Sequence, residues 1–473
     1  MKKFPLTKTP SLKLALTLIA LSLGIAIAVI EPLDGLGQPG NIMAGTLLAA
    51  LAMWIIRPGS GSFMLGAVIV FLGGSLAGVS LPDLASGFSS PALWLLIPAM
   101  FLGYALMKTG LGKRIVFAFF AHLNLSYPKL LLGWFVIGLL FSFLTPSITV
   151  RFLILTPIAV AVADACCLEK QSKERSLMVI SAWSVAIFPG CAWQNGSLFG
   201  PVFTSYLPAG TLRDMATPEL WLQIMWPWLL FTLMFLAVLY FVLKPEQKLN
   251  ITKQQLAQMY TALGPLSKQE KGCLGAFIVL LIGFLLQTVL PLTTNQVLLV
   301  VFGLLLLLGV LSIRDLSCGI NWDIVAFFGI ILSFSRIFEL TGITLWLSPM
   351  FTSLLQPIAG SLLIFVLALY GLCVLLRFID VAQGWISAAI LALATPMLYE
   401  SFGINPLICI MVFICASNLF LFRYHQPWIG QVEALCGESG WNPLHLQKAS
   451  LVYALLVIVF LIICTVYWQS VGL

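Results

Sequence analysis

The chain has 473 residues, of which 60% are hydrophobic and only 9% are charged. Soluble domains carry about 25% charged residues, and a mean hydropathy of +1.06 means more apolar surface than a water-soluble fold can bury. Composition therefore leaves no room for a separate soluble catalytic domain and predicts an all-α polytopic membrane protein. The formal net charge of +7 is typical of basic cytoplasmic loops, so no nucleic-acid partner is expected.

The N-terminal segment is compatible with a secretory signal or with a membrane helix. Its apolar run, Leu14 to Ile30, is longer than a usual signal core of about 7–15 residues, and no A-x-A cleavage site follows it. We therefore predict a first membrane helix. The lack of a long targeting peptide favours a bacterial inner membrane over a plastid envelope.

Apolar runs of about 20 residues, the length that crosses a bilayer, recur along the chain and predict about 11 transmembrane helices. The first half, 1–243, has predicted spans at about 14–30, 41–56, 63–80, 91–107, 177–206 and 218–243, and a broken region at 130–165. The second half, 272–473, has predicted spans at about 273–290, 294–312, 322–338, 404–437 and 449–468, and a broken region at 360–398. The polar, basic segment 244–271 is predicted to be a cytoplasmic linker.

Lysine and arginine positions predict the orientation, because they concentrate in cytoplasmic loops. Basic residues flank the first broken region on both sides, namely Lys108, Lys113, Arg114, Lys129, Lys170, Lys173 and Arg175. That region must then enter and leave from the cytoplasm as a re-entrant helical hairpin. The second broken region lacks basic flanks, and loops at 31–40, 81–90, 207–217 and 340–358 have few or none, so these are predicted to face outside. The N-terminus would be cytoplasmic and the C-terminus outside.

Two hairpins that enter from opposite sides imply inverted-topology repeats. A sequence echo supports this: Trp94 to Leu111 resembles Trp322 to Ile343, and the Thr-Gly pairs in the two segments lie 232 residues apart. Inverted repeats with helices broken at mid-membrane are the architecture of secondary transporters.

The tip of the first hairpin is the strongest candidate site. Pro146 blocks continuation of the incoming helix, and Thr145, Ser147 and Thr149 cluster their hydroxyls around it. The returning helix directs its N-terminus at this gap, which favours an anion. Arg151 adds a full positive charge, and a charge at membrane depth indicates function by default.

Arg151 also has a structural alternative, a buried ion pair with Asp164 or with Asp380. Both interpretations stay open from the sequence.

Apart from the hairpin tips, a first helix break, Phe188 to Ser197, interrupts an otherwise apolar span. Its glycines, proline and amides suit an unwound stretch that binds a solute or a cation. Gln194 and Asn195 are candidate substrate ligands, and Gly190 and Asn195 are candidate ligands of a coupling ion. Trp193 has an alternative role as a marker of the membrane interface.

The second half carries the matching candidates. Gln383 is a candidate substrate ligand, and Asp380 and Gly384 are candidates for the coupling ion, as are Thr145 and Ser147 of the first tip. Asp380 has an alternative role as the partner of Arg377.

A second helix break, in the other half of the chain, begins near Asn418, another candidate for the coupling ion. His425, farther along it, could titrate near neutral pH or could be an ordinary residue at a helix end.

The chain resembles the divalent-anion:sodium symporters from about Pro91 to Tyr467. The segments that carry the resemblance are Lys108 to Arg114, Ser147-Ile148-Thr149 with Pro157, Leu263 to Lys271, and Ile320 to Asp323. The resemblance implies a scaffold domain, a transport domain that holds both hairpins, an elevator-type movement and a homodimer.

The family's tip motif is Ser-Asn-Thr, whose residues help bind sodium and the substrate carboxylate. The resemblance makes Ser147 and Thr149 the matching positions, and Arg151 looks like the arginine that follows the motif in plastid-type and citrate-type carriers. This chain departs from the pattern at Ile148, at the second tip and over Trp193 to Ser197.

The predicted function is symport of a small anion, most simply a di- or tricarboxylate, with Na⁺ or H⁺ and without a further cofactor or resident metal. A carrier of sulfate, a metalloid oxyanion or another acidic solute is the main alternative, followed by an exchanger, a channel or a membrane enzyme. Motifs of zinc proteases, P-loop enzymes and serine hydrolases are absent from the sequence.

Overall fold

The computed structural model describes residues 10–59, 62–121, 126–207, 210–249, 251–287, 289–378 and 384–473. Regular structure in these residues is helical, without strands, and nine of the described helices are long and apolar enough to cross a membrane. The prediction of an all-α polytopic membrane protein is confirmed. Asp380 and Gln383 lie outside the described residues.

The first half is a series of membrane helices interrupted twice. Its helices are α1 (Pro10–Ile30), α2 (Gly37–Ile56), α3 (Met64–Leu76), α4 (Leu81–Leu84), α5 (Pro91–Thr109), α6 (Leu111–Phe120), α7 (Tyr127–Leu144), α8 (Ile148–Ala165), α9 (Lys173–Ile187), α10 (Phe199–Tyr206), α11 (Thr211–Met215), α12 (Pro218–Met225) and α13 (Pro227–Leu243). The predicted interruptions lie between α7 and α8 and between α9 and α10.

The second half is also a series of helices with interruptions. Its helices are α14 (Lys253–Thr261), α15 (Lys268–Leu286), α16 (Thr294–Leu307), α17 (Ile313–Cys318), α18 (Trp322–Leu340), α19 (Ile343–Ala359), α20 (Leu362–Leu376), α21 (Trp385–Phe402), α22 (Pro406–Ser417), α23 (Pro427–Cys436) and α24 (Pro443–Ser470). α20 and α21 cover the segment predicted to be the second hairpin, and the helix break near Asn418 lies between α22 and α23.

The two similar sequence segments, Trp94 to Leu111 and Trp322 to Ile343, each end in the same kind of junction between two helices. Gly110 follows α5 with φ +81°, and Gly342 precedes α19 with φ +76°, both in the left-handed region that favours glycine. The preceding threonines, Thr109 and Thr341, each donate a hydroxyl hydrogen bond of 2.8 Å to the carbonyl four residues earlier. The helix pairs α5–α6 and α18–α19 are thus built alike.

Each broken helix contacts helices in both halves of the chain. α7 and α8 pack on α9, as α20 and α21 pack on α22. The second part of each broken helix crosses over, so that α10 packs on α21 and α23 packs on α8. This exchange brings the first hairpin tip close to both breaks.

Some segments predicted to be loops are helical. The segment 340–358 contains α19, and the segment after Lys108 contains α6. The loop prediction for 340–358 was wrong because its lack of basic residues was taken as the signal, whereas its periodic apolar residues favour a helix. The linker 244–271 likewise contains the short helix α14.

A polar network joins α5 to α17. The amine of Lys108 lies 2.6 Å from a carboxylate oxygen of Asp315, and the Tyr104 hydroxyl donates to the other oxygen at 2.9 Å. Burial raises the pKa of Asp315, but hydrogen bonds from Lys108, Ser312 and Tyr104 outweigh burial and keep it well below the ordinary value. The carboxylate therefore stays ionised and holds α17 against the end of α5.

Candidate anion and ion site

The first hairpin tip is a short extended turn between two helices. α7 ends at Leu144, and Thr145 is extended, with φ −154° and ψ 130°. The backbone N–H of Ser147 donates to the Thr145 hydroxyl at 3.2 Å, and the Ser147 hydroxyl caps α8 by accepting from the N–H of Val150 at 3.4 Å. These hydroxyls set the direction of α8, while Thr149 in its first turn is half-buried.

Arg151 lies in the first turn of α8 and is fully buried. Within the described part of the chain, all three guanidinium nitrogens lack a hydrogen-bond partner. The guanidinium lies against the backbone of Gly190, where an added Cβ would collide with Nη1 and lie 2.9 Å from Nη2. An uncompensated buried cation is costly, so this arrangement favours an anionic ligand.

The alternative ion pair of Arg151 with Asp164 is wrong. Asp164 instead accepts a hydrogen bond of 2.6 Å from Nη2 of Arg175, which also donates to the carbonyl of Leu168. Arg175 is near in the chain and lies at the end of the hairpin away from the tip, so it satisfies Asp164 there.

The first break unwinds between α9 and α10 into two 3₁₀ turns, Pro189–Ala192 and Gln194–Gly196. The indole N–H of Trp221 donates to the carbonyl of Cys191 at 3.2 Å. Trp193 stacks on Phe143 with ring centroids 4.1 Å apart. The unwound backbone is therefore fixed on both sides rather than loose.

The second break begins at Asn418 and touches the first. The amide Nδ2 of Asn418 lies 3.7 Å from the Cys191 sulfur and donates to it. In the described residues, the Asn418 amide oxygen and the hydroxyls of Ser197 and Ser417 are buried without a partner. We call Arg151, Gly190, Ser197, Ser417 and Asn418 the central polar cluster.

Gly384 joins the second hairpin to this cluster. It precedes α21 with φ +83°, in the left-handed region. A Cβ at this position would lie 3.4 Å from the Ser417 hydroxyl and would crowd the ring of Phe413 at 2.6 Å. The start of α21 therefore approaches the second break closely.

Gln194 and Asn195 are directed to other partners. Nε2 of Gln194 donates to the carbonyl of Ala216 at 2.9 Å, and Nδ2 of Asn195 donates to the hydroxyl of Thr294 at 3.4 Å. Both side chains line a pocket between α5, α10 and α16. Their described contacts do not join them to Arg151.

The second buried arginine has a backbone partner. Arg377 caps the end of α20, is fully buried, and donates from Nη2 to the carbonyl of His425. The His425 imidazole lies edge-on among Phe378, Phe422 and Tyr424 at centroid distances of 4.6–5.4 Å. The ring is therefore packed among aromatic side chains, while both imidazole nitrogens are buried without a hydrogen-bond partner in the described residues.

Sequence reasoning missed Cys191, Ser197 and Ser417. The breaks that contain or adjoin them were predicted, but none of these three residues was named as a candidate ligand. Their position beside Gly190, Gly196 and Asn418 was the available signal, because polar atoms next to unwound membrane backbone face a site more often than lipid.

The family model described as the sodium:sulfate symporter transmembrane region matches residues 11–473. This chain belongs to that family. The expected membership of the divalent-anion:sodium symporters is therefore confirmed.

Individual proteins agree with this membership of the sodium:sulfate symporter family. The chain is 27% identical over 336 residues to the inner membrane protein YbhI of Escherichia coli, covering 67% of this chain and 69% of the relative. It is 23% identical over 412 residues to the chloroplastic dicarboxylate transporter 2.1 of Arabidopsis thaliana, covering 82% and 70%. The crystal structure of the Alcanivorax borkumensis YdaH transporter, 12% identical, matches 98% of both chains with a TM-score of 0.57, which supports the fold.

Proposed function

We propose that this sodium:sulfate symporter family member is a secondary active carrier of a small anion, most simply a di- or tricarboxylate. The observation that carries the proposal is the Arg151 guanidinium, fully buried and without a hydrogen-bond partner in the described residues. The name of the Arabidopsis relative, a dicarboxylate transporter, supports the class of solute.

The anion would bind between the first tip and the two breaks. Arg151 would make charge-assisted hydrogen bonds with one carboxylate, which are about twice as strong as neutral ones. The N-terminus of α8 would add its partial positive charge. Gly190 is needed there because a side chain would occupy the space of the guanidinium.

The coupling ion would bind beside the anion. The Asn418 amide oxygen and the hydroxyls of Ser197 and Ser417 are buried oxygens without a partner in the described residues, and oxygens of this kind suit a hard cation. We therefore propose Na⁺ at the central polar cluster. Proton coupling through Asp380 is the alternative.

The transport cycle would follow the family's elevator movement. The packing of α10 on α21 and of α23 on α8 would let both hairpins and both broken helices move as one body. We also propose a homodimer, with a cytoplasmic N-terminus and the C-terminus outside.

Sulfate is the second candidate solute, because the description of the matching family names it. Arg151 would suit the tetrahedral dianion as well as a carboxylate. An uptake experiment with both kinds of solute decides between them.

The test is uptake of labelled succinate, citrate and sulfate into proteoliposomes, first with an inward Na⁺ gradient and then with a proton gradient. Saturable uptake that shows counterflow would support a carrier, and the more effective gradient would identify the coupling ion. Non-saturating flux without counterflow would indicate a channel. A failure of all three anions to enter would contradict the proposal.

A further inference from the structure

We propose that the pocket beside Gln194 and Asn195 is a second, outer anion site that captures the solute before it reaches Arg151. The inference rests on the proposed function, because it assumes that the solute is a small anion. We call this pocket the outer vestibule. Its lining residues are Ser90, Pro91, Ala92, Leu95, Gln194, Asn195, Pro201, Thr204, Ser205, Arg213, Thr294 and Asn295.

The outer vestibule has the size and polarity of a small-solute site. Its volume is about 230 Å³, and eight of its lining residues carry a hydroxyl, amide or guanidinium group. It lies at the ends of α10 and α16 opposite the basic linker, on the face that the lysines and arginines assign to the outside. A dicarboxylate would meet both polar groups and the apolar residues Pro91, Ala92, Leu95 and Pro201 here, which suits its charged ends and its carbon chain.

Arg213 makes the vestibule positive. It is the charged residue among the described lining residues. Its Nε donates to the carbonyl of Leu207 at 3.0 Å, and its Nη2 donates to the carbonyl of Ser205 at 2.8 Å. The guanidinium is thus held in place by neutral carbonyls, which fix its direction without cancelling its charge. Arg213 and Asp214 are both exposed, and Asp214 interacts electrostatically with Arg213 but is not part of the lining.

The vestibule leads towards the first hairpin tip. A smaller cavity of about 50 Å³ shares Leu95, Asn195 and Thr294 with it and extends to Pro146 at the tip. Asn195 and Thr294, whose side chains are joined by a hydrogen bond of 3.4 Å, stand at the junction of the two cavities. An anion held by Arg213 would therefore lie beside the smaller cavity, which reaches the first hairpin tip.

The vestibule also lies between parts that the family mechanism moves relative to each other. Gln194, Ser205 and Arg213 belong to the segment that follows the broken helix α9, whereas Ser90 and Asn295 lie at the starts of α5 and α16, which we assign to the scaffold. A site of this composition exists only while the two parts have this relative position. The vestibule would therefore raise the local anion concentration at the outer face of the membrane and not at the inner face.

The test compares transport from the two faces. Right-side-out and inverted membrane vesicles carrying the wild type or Arg213→Gln are assayed with labelled succinate, citrate or sulfate, whichever the wild type carries. We expect KM at the outer face to rise about fivefold, the effect of about 1 kcal/mol, with KM at the inner face and the maximal rate unchanged. The wild-type KM at the outer face should also rise with ionic strength more steeply than that of the variant.

A second variant separates a lost charge from a disturbed loop. Asn295→Asp places a negative charge in the vestibule at the second position of α16, where a carboxylate favours the helix, and leaves the Arg213 loop intact. It should raise the outer KM in the same direction, and Arg213→Lys should largely restore it. Arg336→Gln removes a cation from the same face, away from the vestibule, and should leave both KM values unchanged.

Three results would overturn the inference. An equal KM change at both faces would indicate that Arg213 acts through the central cluster or the loop. An unchanged outer KM in Arg213→Gln and Asn295→Asp would mean that the vestibule captures no anion, with the proposed function intact. A wild type that carries none of the three anions would overturn the proposed function and this inference together.

Discussion

The two hairpins each contain one fully buried arginine, and the two arginines differ in what surrounds them. Arg151 lies in the returning arm of the first hairpin, and its guanidinium has no hydrogen-bond partner in the described residues. Arg377 lies at the end of the incoming arm of the second hairpin and donates to the carbonyl of His425. The two arginines are both buried, but only Arg377 has a described hydrogen-bond partner.

This difference separates a charge kept for a ligand from a charge used in folding. A buried cation with a built-in partner contributes to the fold, because removing it leaves that partner unsatisfied. A buried cation without one is a cost to the empty protein and becomes favourable only when an anion arrives. Activity and stability should therefore respond in opposite ways to mutation of the two residues.

The largest expected effect is on transport in Arg151→Gln. Uptake should fall at least about 30-fold, because a buried charge-assisted pair is worth about 2–5 kcal/mol. Its thermal stability without substrate should be unchanged or higher, and stabilisation by added anion should disappear. Proteoliposome uptake and thermal unfolding in detergent measure the two quantities. Near-normal uptake would remove Arg151 from the site.

Gly190→Ala tests the contact that positions the guanidinium. The added Cβ would collide with Nη1 of Arg151 and with the carbonyl of Gly196, so we expect uptake to fall about tenfold, through KM, as about 1.4 kcal/mol of binding is lost. The matched control is Gly303→Ala in α16, where a Cβ would meet nothing within 4 Å. A similar KM in both variants would contradict the proposed position of Arg151.

Arg377→Gln should mainly change stability. Loss of the bond to the His425 carbonyl leaves a buried acceptor, which costs about 1–3 kcal/mol. The melting temperature should fall, and uptake should decrease only in proportion to the folded protein that remains. A normal melting temperature with abolished uptake would contradict the assignment of Arg377 to folding, because Arg377 would then act on the solute.

The fold could be predicted from the sequence because membrane helices and their interruptions leave local signals. Apolar length identified the spans, Pro146 marked the first tip, and Gly190 with Gly196 marked the first break. Each signal is caused by the residues themselves, through the length needed to cross the bilayer and the backbone that proline and glycine allow.

The site could be predicted only in part, because side-chain direction depends on tertiary packing. The sequence placed Asn195 and Asn418 in matching breaks, yet only Asn418 reaches Cys191 and the central polar cluster. Asn195 turns to Thr294 in the other half of the chain. Similarly, the nearness of Arg175 to Asp164 after folding decided which arginine the carboxylate binds.

Asn418→Ala tests whether the coupling ion binds beside the anion. The variant removes a buried amide oxygen that has no partner in the described residues. If Na⁺ binds there, the Na⁺ concentration for half-maximal uptake should rise several-fold, the effect of about 1 kcal/mol. The KM for the anion at saturating Na⁺ should change little. An unaltered Na⁺ dependence would favour proton coupling, which Asp380→Asn in the same assay then tests.

The smallest expected effect concerns Asp315, a buried charge paired within the protein, which extends the comparison to a third case. Asp315→Asn should leave the KM for the anion unchanged and reduce stability at neutral pH by about 1–2 kcal/mol, through the loss of charged hydrogen bonds.

Because the folded protein lowers the pKa of Asp315, this contribution is complete above its unfolded pKa of about 3.9 and is lost as the pH falls through and below that value. Thermal unfolding at pH 7, 5, 4 and 3 should therefore show the wild type converging on the variant at the acid end. Asp214→Asn, an exposed substitution on the opposite face, controls for the loss of a charge. A stability difference that is constant from pH 7 to 3 would mean that packing of α17, and not the ionised pair with Lys108, is what Asp315 contributes.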